Sequence, residues 1–349
     1  MNGTYFLGAN SKRGFYSLYD GFCRAPGDYL TVIKGTPGSG KSRFMRKIGA
    51  AAEARGLDVE YVLCSGDPDS LDGVYIPSLR RGWVDGTAPH VMEPRRVGLD
   101  GDYINLAMFC DLPFEGQIRG YVDCLYDSYK AEYSAAYGYL AAAAKIERTY
   151  SGTGFDEAAQ KELRQKLRGI IKRNMTEGGA GSGGADERFM HALSCKGELY
   201  LSAELEKLCG LVYRFEGGDG NGAAALDTAY EEATEVGADC IVCRNPLDPA
   251  KIDALLLPTL SLGFVCGGYE IAGARKVNLD TLLDGAVLKT RRAQIEDGQS
   301  MRGELISLAL SRLNTAKALH DELEEYYKTR MDFAALTEYT EDYIERLFD

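Results

Sequence analysis

The sequence predicts an α/β protein made of two related units, each a mainly parallel sheet with flanking helices, and each followed by a helical segment. Three observations carry this. The chain has 349 residues, more than one core usually holds. A β-branched apolar run leads through a glycine-rich loop into an alanine-rich stretch between Tyr29 and Arg55. Much of that pattern returns about 182 residues later.

Composition is that of an ordinary globular chain, 45% hydrophobic and 26% charged. Forty basic against 52 acidic side chains leave a net charge of −12, which argues against wrapping nucleic acid, since phosphate backbones need a basic stripe. No membrane span is expected: the most apolar run, Ala254 to Cys266, is short and broken by Pro258 and Gly263. Met1 to Leu7 shows no charged start followed by an apolar stretch, so no secretory signal is expected. The nine cysteines are odd in number and scattered, and read as reduced thiols of a cytoplasmic protein. Cys240 and Cys243 form a C-x-x-C, but inside an apolar strand residues three apart face opposite ways, and no second pair completes a zinc set.

In unit one, Tyr29-Leu30-Thr31-Val32-Ile33 reads as a buried strand. It is followed by Gly35-Thr36-Pro37-Gly38-Ser39-Gly40-Lys41-Ser42, which fits G-x-x-x-x-G-K-[ST]. Arg43 to Arg55 contains no proline and a single glycine and suits a helix, with Phe44, Ile48 and Ala51 or Ala52 at helical spacing. The spacing has a physical reason. Glycines let the backbone curl so that successive N–H groups point at a β-phosphate, and the helix adds its positive N-terminal end. Lys41 would then reach the β- and γ-phosphates, and the Ser42 hydroxyl would coordinate Mg²⁺. The unit is therefore expected to be P-loop NTPase-like, with ATP and Mg²⁺ as its cofactors.

The repeat aligns Gly35, Gly38 and Gly40 with Gly217, Gly220 and Gly222. Asp67-Pro68 and Asp72 match Asp248-Pro249 and Asp253, and Pro77-Ser78-Leu79 matches Pro258-Thr259-Leu260. Upstream, Phe6, Ala9, Ser11 and Gly14 match Phe189, Ala192, Ser194 and Gly197. Helical stretches follow at 117–172 and 290–348. The glycine-rich run 177–186 reads as a linker or mobile loop dividing an active domain, 1–176, from a degenerate one, 187–349. In the second copy Lys41 and Ser42 become Ala223 and Ala224, removing the phosphate clamp and the metal ligand, so a pseudo-site is expected there.

A carboxylate at the end of a neighbouring strand should hold or orient Mg²⁺. Asp85, after the short run Gly82-Trp83-Val84, fits, and the second copy carries Cys266 in its place. Lys41 and Asp85 are the candidate catalytic residues, and Ser42 and Asp85 the candidate metal ligands. Asp67 and Asp72 persist in the damaged copy, which favours structural roles; Asp69 does not persist and is the better functional candidate of the three. His90 reads either as a residue orienting water or substrate or as a packed loop histidine. Arg80, Arg81, Arg95 and Arg96 read as solvated arginines, with a transition-state charge as the alternative. Tyr126, Tyr129, Tyr133 and Tyr137 fall on one helix face and read as packing of paired helices or as a partner surface.

Thr4 to Ser11, the Gly35–Ser42 loop, Cys64-Ser65-Gly66-Asp67-Pro68-Asp69-Ser70-Leu71-Asp72-Gly73-Val74 and Asp85-Gly86-Thr87-Ala88-Pro89-His90 together resemble a poorly characterised family of bacterial tandem P-loop ATPases, mostly from Firmicutes. The resemblance spans nearly the whole chain. It implies ATP binding and hydrolysis, and carries no physiological substrate with it. Family members often keep both loops intact; this chain departs from them at Ala223 and Ala224. The expected function is an Mg²⁺-dependent ATPase or ATP-driven switch with one competent site. A small-molecule or nucleotide kinase is the first alternative, for which the basic stretch Lys161 to Arg173 would imitate a lid. A nucleotide-sensing adaptor is the second. No N-K-x-D segment is present, which favours ATP over GTP.

Overall fold

The computed structural model describes residues 3–111, 116–151, 154–175, 181–217 and 220–349. Unit one runs through β1 (Gly3–Phe6), β2 (Gly8–Ser11), β3 (Gly14–Ser17), β4 (Tyr29–Lys34), α1 (Lys41–Glu53), β5 (Glu60–Leu63), β6 (Leu71–Ile76), β7 (Arg81–Asp85) and β8 (Gly101–Asn105), then α2 (Gly116–Tyr150) and α3 (Glu157–Arg173). Unit two comprises β9 (Ala185–Arg188), β10 (His191–Ser194), β11 (Gly197–Tyr200), α4 (Ser202–Leu208), β12 (Leu211–Glu216), α5 (Gly222–Glu235), β13 (Cys240–Arg244), β14 (Ile252–Leu257), β15 (Leu262–Val265) and β16 (Arg275–Asn278), then α6 (Gly285–Lys328) and α7 (Phe333–Phe348).

The two six-stranded sheets have one topology. The first is ordered β1-β5-β6-β7-β4-β8 and the second β9-β13-β14-β15-β12-β16. Parallel and antiparallel junctions agree at every step, and both sheets carry a register shift at the same place, Val62/Leu63 and Cys243/Arg244. The sheets are mainly parallel with one reversed strand each, β6 and β14. Chain length explains the reversal. The β6–β7 and β14–β15 links are single helical turns, Pro77–Leu79 and Pro258–Leu260, each closed by a residue at positive φ: Arg80 at 53° and Ser261 at 50°. Such a link reverses the chain, whereas a parallel step needs a crossover of about a dozen residues.

The units face each other across a pseudo-twofold axis. Phe6 and Phe189 exchange two backbone hydrogen bonds of 2.9 Å, and both rings are fully buried. Lys12 N–H donates to Leu247 C=O at 3.0 Å, and Cys195 N–H to Gly66 C=O at 3.2 Å, the reciprocal pair. An apolar cluster spans the join, with Tyr5, Leu7 and Val62 against Met190, Leu205 and Leu256.

The helical stretches each break once. Gly154 and the cap Asp156 separate α2 from α3, and Asp332 caps α7 after α6. α2 and α6 lie antiparallel: Tyr121 meets Glu322, Glu132 meets Arg312, and Thr149 meets Gln294. Each long helix thus leaves its own unit and ends on the other. α3 buries Leu163, Leu167, Ile170 and Ile171 against Leu226 and Phe215 of unit two. α7 places Leu336, with Tyr339 and Tyr343 beside it, against Ile33, Phe44 and Ile48 of unit one. The packing therefore crosses the division expected near 177–186. Residues 177–180 of that run lie outside the described part; Ser182 and Gly184 are tied to the Asp239 carboxylate.

The tyrosine face of α2 is turned inward. Rings of Tyr129, Tyr133 and Tyr137 follow one another at 5.0 and 5.8 Å, Tyr129 lies 5.5 Å from the ring of His320 on α6, and Tyr137 donates to Asn10 at 3.1 Å. Their partners are within the chain. Among the described residues no helix is long and apolar enough to cross a membrane.

Candidate functional site

The loop between β4 and α1 has the conformation its glycines permit. Gly38 and Gly40 sit at φ 69° and 84°, where a side chain would be strained. α1 begins at Lys41, with Gly40 as its cap residue and no side-chain cap, whereas α3, α6 and α7 are all capped by aspartates, Asp156, Asp284 and Asp332. The first-turn N–H groups of a helix have no intrahelical partner. No side chain caps those of α1, and the positive end of the helix dipole lies there.

Lys41 folds back over the loop. Its ammonium donates to Thr36 C=O at 3.0 Å and Gly35 C=O at 3.4 Å, and stands 3.7 Å from the Asp85 carboxylate. Asp85 reaches it because β7 runs parallel to β4 with Asp85 directly opposite Ile33, so both chains end beside the loop. The other Asp85 oxygen is fixed by the Thr87 N–H at 2.8 Å and hydroxyl at 2.6 Å. Ser42 Oγ accepts from Leu71 N–H at 2.9 Å and keeps its own proton and a second lone pair. These groups fit Mg²⁺, which binds through one or two protein oxygens plus phosphates and water rather than in an all-protein cage. Among the described residues no cluster of three or more His, Cys, Asp or Glu side chains could hold a metal by itself.

Asp72 is a buried hub. It accepts from Tyr19 Oη at 3.0 Å and faces His90 Nε2 at 3.4 Å. Burial disfavours charge on His90, but the Asp72 carboxylate and, beyond it, Asp85 together outweigh burial and raise the pKa above the ordinary histidine value. In unit two Asp253 does the same work with other partners: His191 at 3.2 Å, Tyr269 at 3.2 Å and Asn245 at 2.9 Å. The structural reading of the persistent aspartates agrees with this geometry, and His90 is the packed histidine, seated between the Tyr19 and Phe15 rings.

Other expected residues are not gathered at the loop. Asp69 is exposed and ion-paired to Lys196 of unit two. Arg80 pairs with Asp28, Arg81 lies over the Tyr29 ring, and Arg96 pairs with Asp100. The basic stretch 161–173 is α3 itself, where Arg164 and Arg168 both bind the buried Glu232 and also pair with Glu231 and Glu235.

The roof over the loop comes from the far end of the chain. A Cβ on Gly38 would lie 2.9 Å from the Glu324 carbonyl and from Lys328 of α6, and one on Gly40 3.2 Å from Leu336 of α7. No local motif announces these residues; only the asparagine-or-aspartate capping signal at Asp332 marks where α6 gives way to α7.

Comparison with protein-family models, curated proteins and solved structures finds no match. The chemistry of the loop therefore has to come from its own atoms.

In unit two the matching helix α5 is also without a side-chain cap at Asn221. Ala223 and Ala224 occupy its first turn. Cys266, directly after β15, takes the position of Asp85, the last residue of β7, and its thiol is held well above the usual range by burial and then by Asp253. Gly218 and Asp219 of this loop lie outside the described residues.

Proposed function

We propose that the Gly35–Ser42 loop binds the triphosphate of ATP with Mg²⁺, and that the protein is an ATP hydrolase or ATP-driven switch with one competent site and one pseudo-site. One observation supports this most: the uncapped start of α1 follows two positive-φ glycines, with Lys41 in its first turn 3.7 Å from Asp85 at the end of β7, the parallel neighbour of β4. On this reading Lys41 exchanges its two carbonyl partners for the β- and γ-phosphates. Ser42 and Asp85 hold or orient the metal, which neutralises phosphate charge as the terminal bond breaks. The resemblance to tandem P-loop ATPases points the same way.

A switch is favoured over a kinase by what surrounds the loop. Its cover is α6, which touches Gly38 at one end and packs along α2 toward unit two, so filling the loop is felt across the molecule. The arginines that a lid would need are engaged on α5. The test is phosphate release from ATP and Mg²⁺ by the purified protein and by Lys41→Ala. Release that needs no added acceptor and is lost in the variant supports the reading. Release only with a metabolite mixture supports the kinase, and unchanged behaviour of Lys41→Ala overturns the site.

A further inference from the structure

The second loop has lost its lysine, yet a cationic pair stands beside it. Lys251, just before β14, and Arg302, on α6, converge on the carboxylate of Glu147, on α2, at 2.5 and 2.8 Å. All three side chains are less than one-third exposed. The cluster lies at the place of the missing chemistry. Both Lys251 and Glu147 act on the Cys266 thiol, which holds the position of Asp85. Cys266 in turn abuts Gly222, where an added Cβ would lie 2.8 Å away. The end of α2 is seated on the loop: Ser151 Oγ donates to Glu147 C=O at 2.6 Å and stands 3.1 Å from the Cβ position of Gly220. Lys251 has no cationic counterpart in unit one, where Ser70 takes that position and donates to Asp67. Unit two thus carries a positive charge that the competent unit does not have there. A carboxylate offers two anionic oxygens to lysine and arginine much as a phosphate does.

We propose that the second loop carries a built-in ligand: the Glu147 carboxylate occupies the place of a terminal phosphate, gripped by Lys251 and Arg302, and holds unit two in a permanently filled state. The inference rests on the second loop being a degenerate nucleotide loop. It assigns a latent polyphosphate site to Lys251 and Arg302, blocked from within. Removing Glu147 takes away the carboxylate that the two cations share and opens the site to an anion.

The probe is inorganic tripolyphosphate, titrated by calorimetry into the full chain carrying Lys41→Ala so that the first loop is weakened. Lys41→Ala alone should show no more than the weak residual binding of that loop. Adding Glu147→Ala should produce one site per chain, at least about ten-fold tighter than any residual binding, and adding Lys251→Met should remove it. Glu147→Gln keeps the hydrogen-bonding shape and loses only the charge, so it should give a smaller gain in the same direction and serves if the alanine variant does not fold. A folded Glu147→Ala or Glu147→Gln protein that binds no more than its parent overturns the proposal, as does Lys251-dependent binding with Glu147 in place. Failure of the underlying reading looks different: there the unaltered chain binds no ATP with Mg²⁺ at all.

Discussion

The two glycine loops sit in one topology and differ in the three side chains expected to meet phosphate and metal. Unit one has Lys41, Ser42 and Asp85; unit two has Ala223, Ala224 and Cys266. Sheet order, strand direction, register shift and even the positive-φ residue after the 3₁₀ turn are retained in both. Backbone architecture and ligand chemistry have therefore separated. The fold of the second unit does not depend on the groups that would grip a phosphate, because its stability comes from the shared core and the exchanged helices.

The largest expected effect tests that shared core. Phe6→Ala and Phe189→Ala should each destabilise the whole chain by about 3–5 kcal/mol, since each empties a fully buried site at the pseudo-axis. Chemical denaturation should show one transition shifted similarly by both. A strong loss from only one would break the equivalence of the units.

Next comes Asp85→Asn, which should lower Mg²⁺-dependent turnover by about 10- to 100-fold if the carboxylate orients the metal. Cys266→Ser, at the same place in unit two, should leave turnover within two-fold, on the order expected for a position outside the chemistry. Equal losses in the two variants would mean that both loops turn over nucleotide.

Tyr343→Phe addresses the exchange of helices. It strands the indole N–H of the fully buried Trp83, which donates to Tyr343 at 2.8 Å, and should cost about 1–3 kcal/mol. Because α7 closes unit one, the loss should appear as lowered thermal stability that bound ATP partly restores.

The smallest effect is a pH dependence. His90 has a folded pKa above its unfolded value, so its contribution is complete below about pH 6.5 and fades as the pH rises through the folded value. His90→Gln should therefore differ most from the unaltered chain under mildly acidic conditions, and the gap in melting temperature should shrink toward alkaline pH. A gap that widens with pH would contradict the Asp72 pairing.

Local features were legible in the sequence. The glycine loop, the strand before it and the helix after it are matters of spacing and of φ preference, and Asp85 stood out because its partner position is cysteine. The repeat was legible because Asp-Pro and Pro-x-Leu recur in order. The reversal of β6 had a signal in the four residues Pro77 to Arg80, too few for a parallel crossover. The exchange of helices had none. The stripe of Leu163, Leu167, Ile170 and Ile171 says that α3 buries a face, but the same stripe fits either unit. Glu324, Lys328 and Leu336 reach the loop only because α6 spans the molecule. Periodicity specifies that a surface is covered, and tertiary packing decides by what.

The central claim is that one loop grips a nucleotide and its duplicate does not. Calorimetric titration of ATP with Mg²⁺ into the intact chain tests it most directly. The account predicts one ATP per chain, with affinity lowered by about 10- to 100-fold in Lys41→Ala, the loss of one charge-assisted contact set. No heat, two sites, or an unaltered isotherm for Lys41→Ala would contradict it.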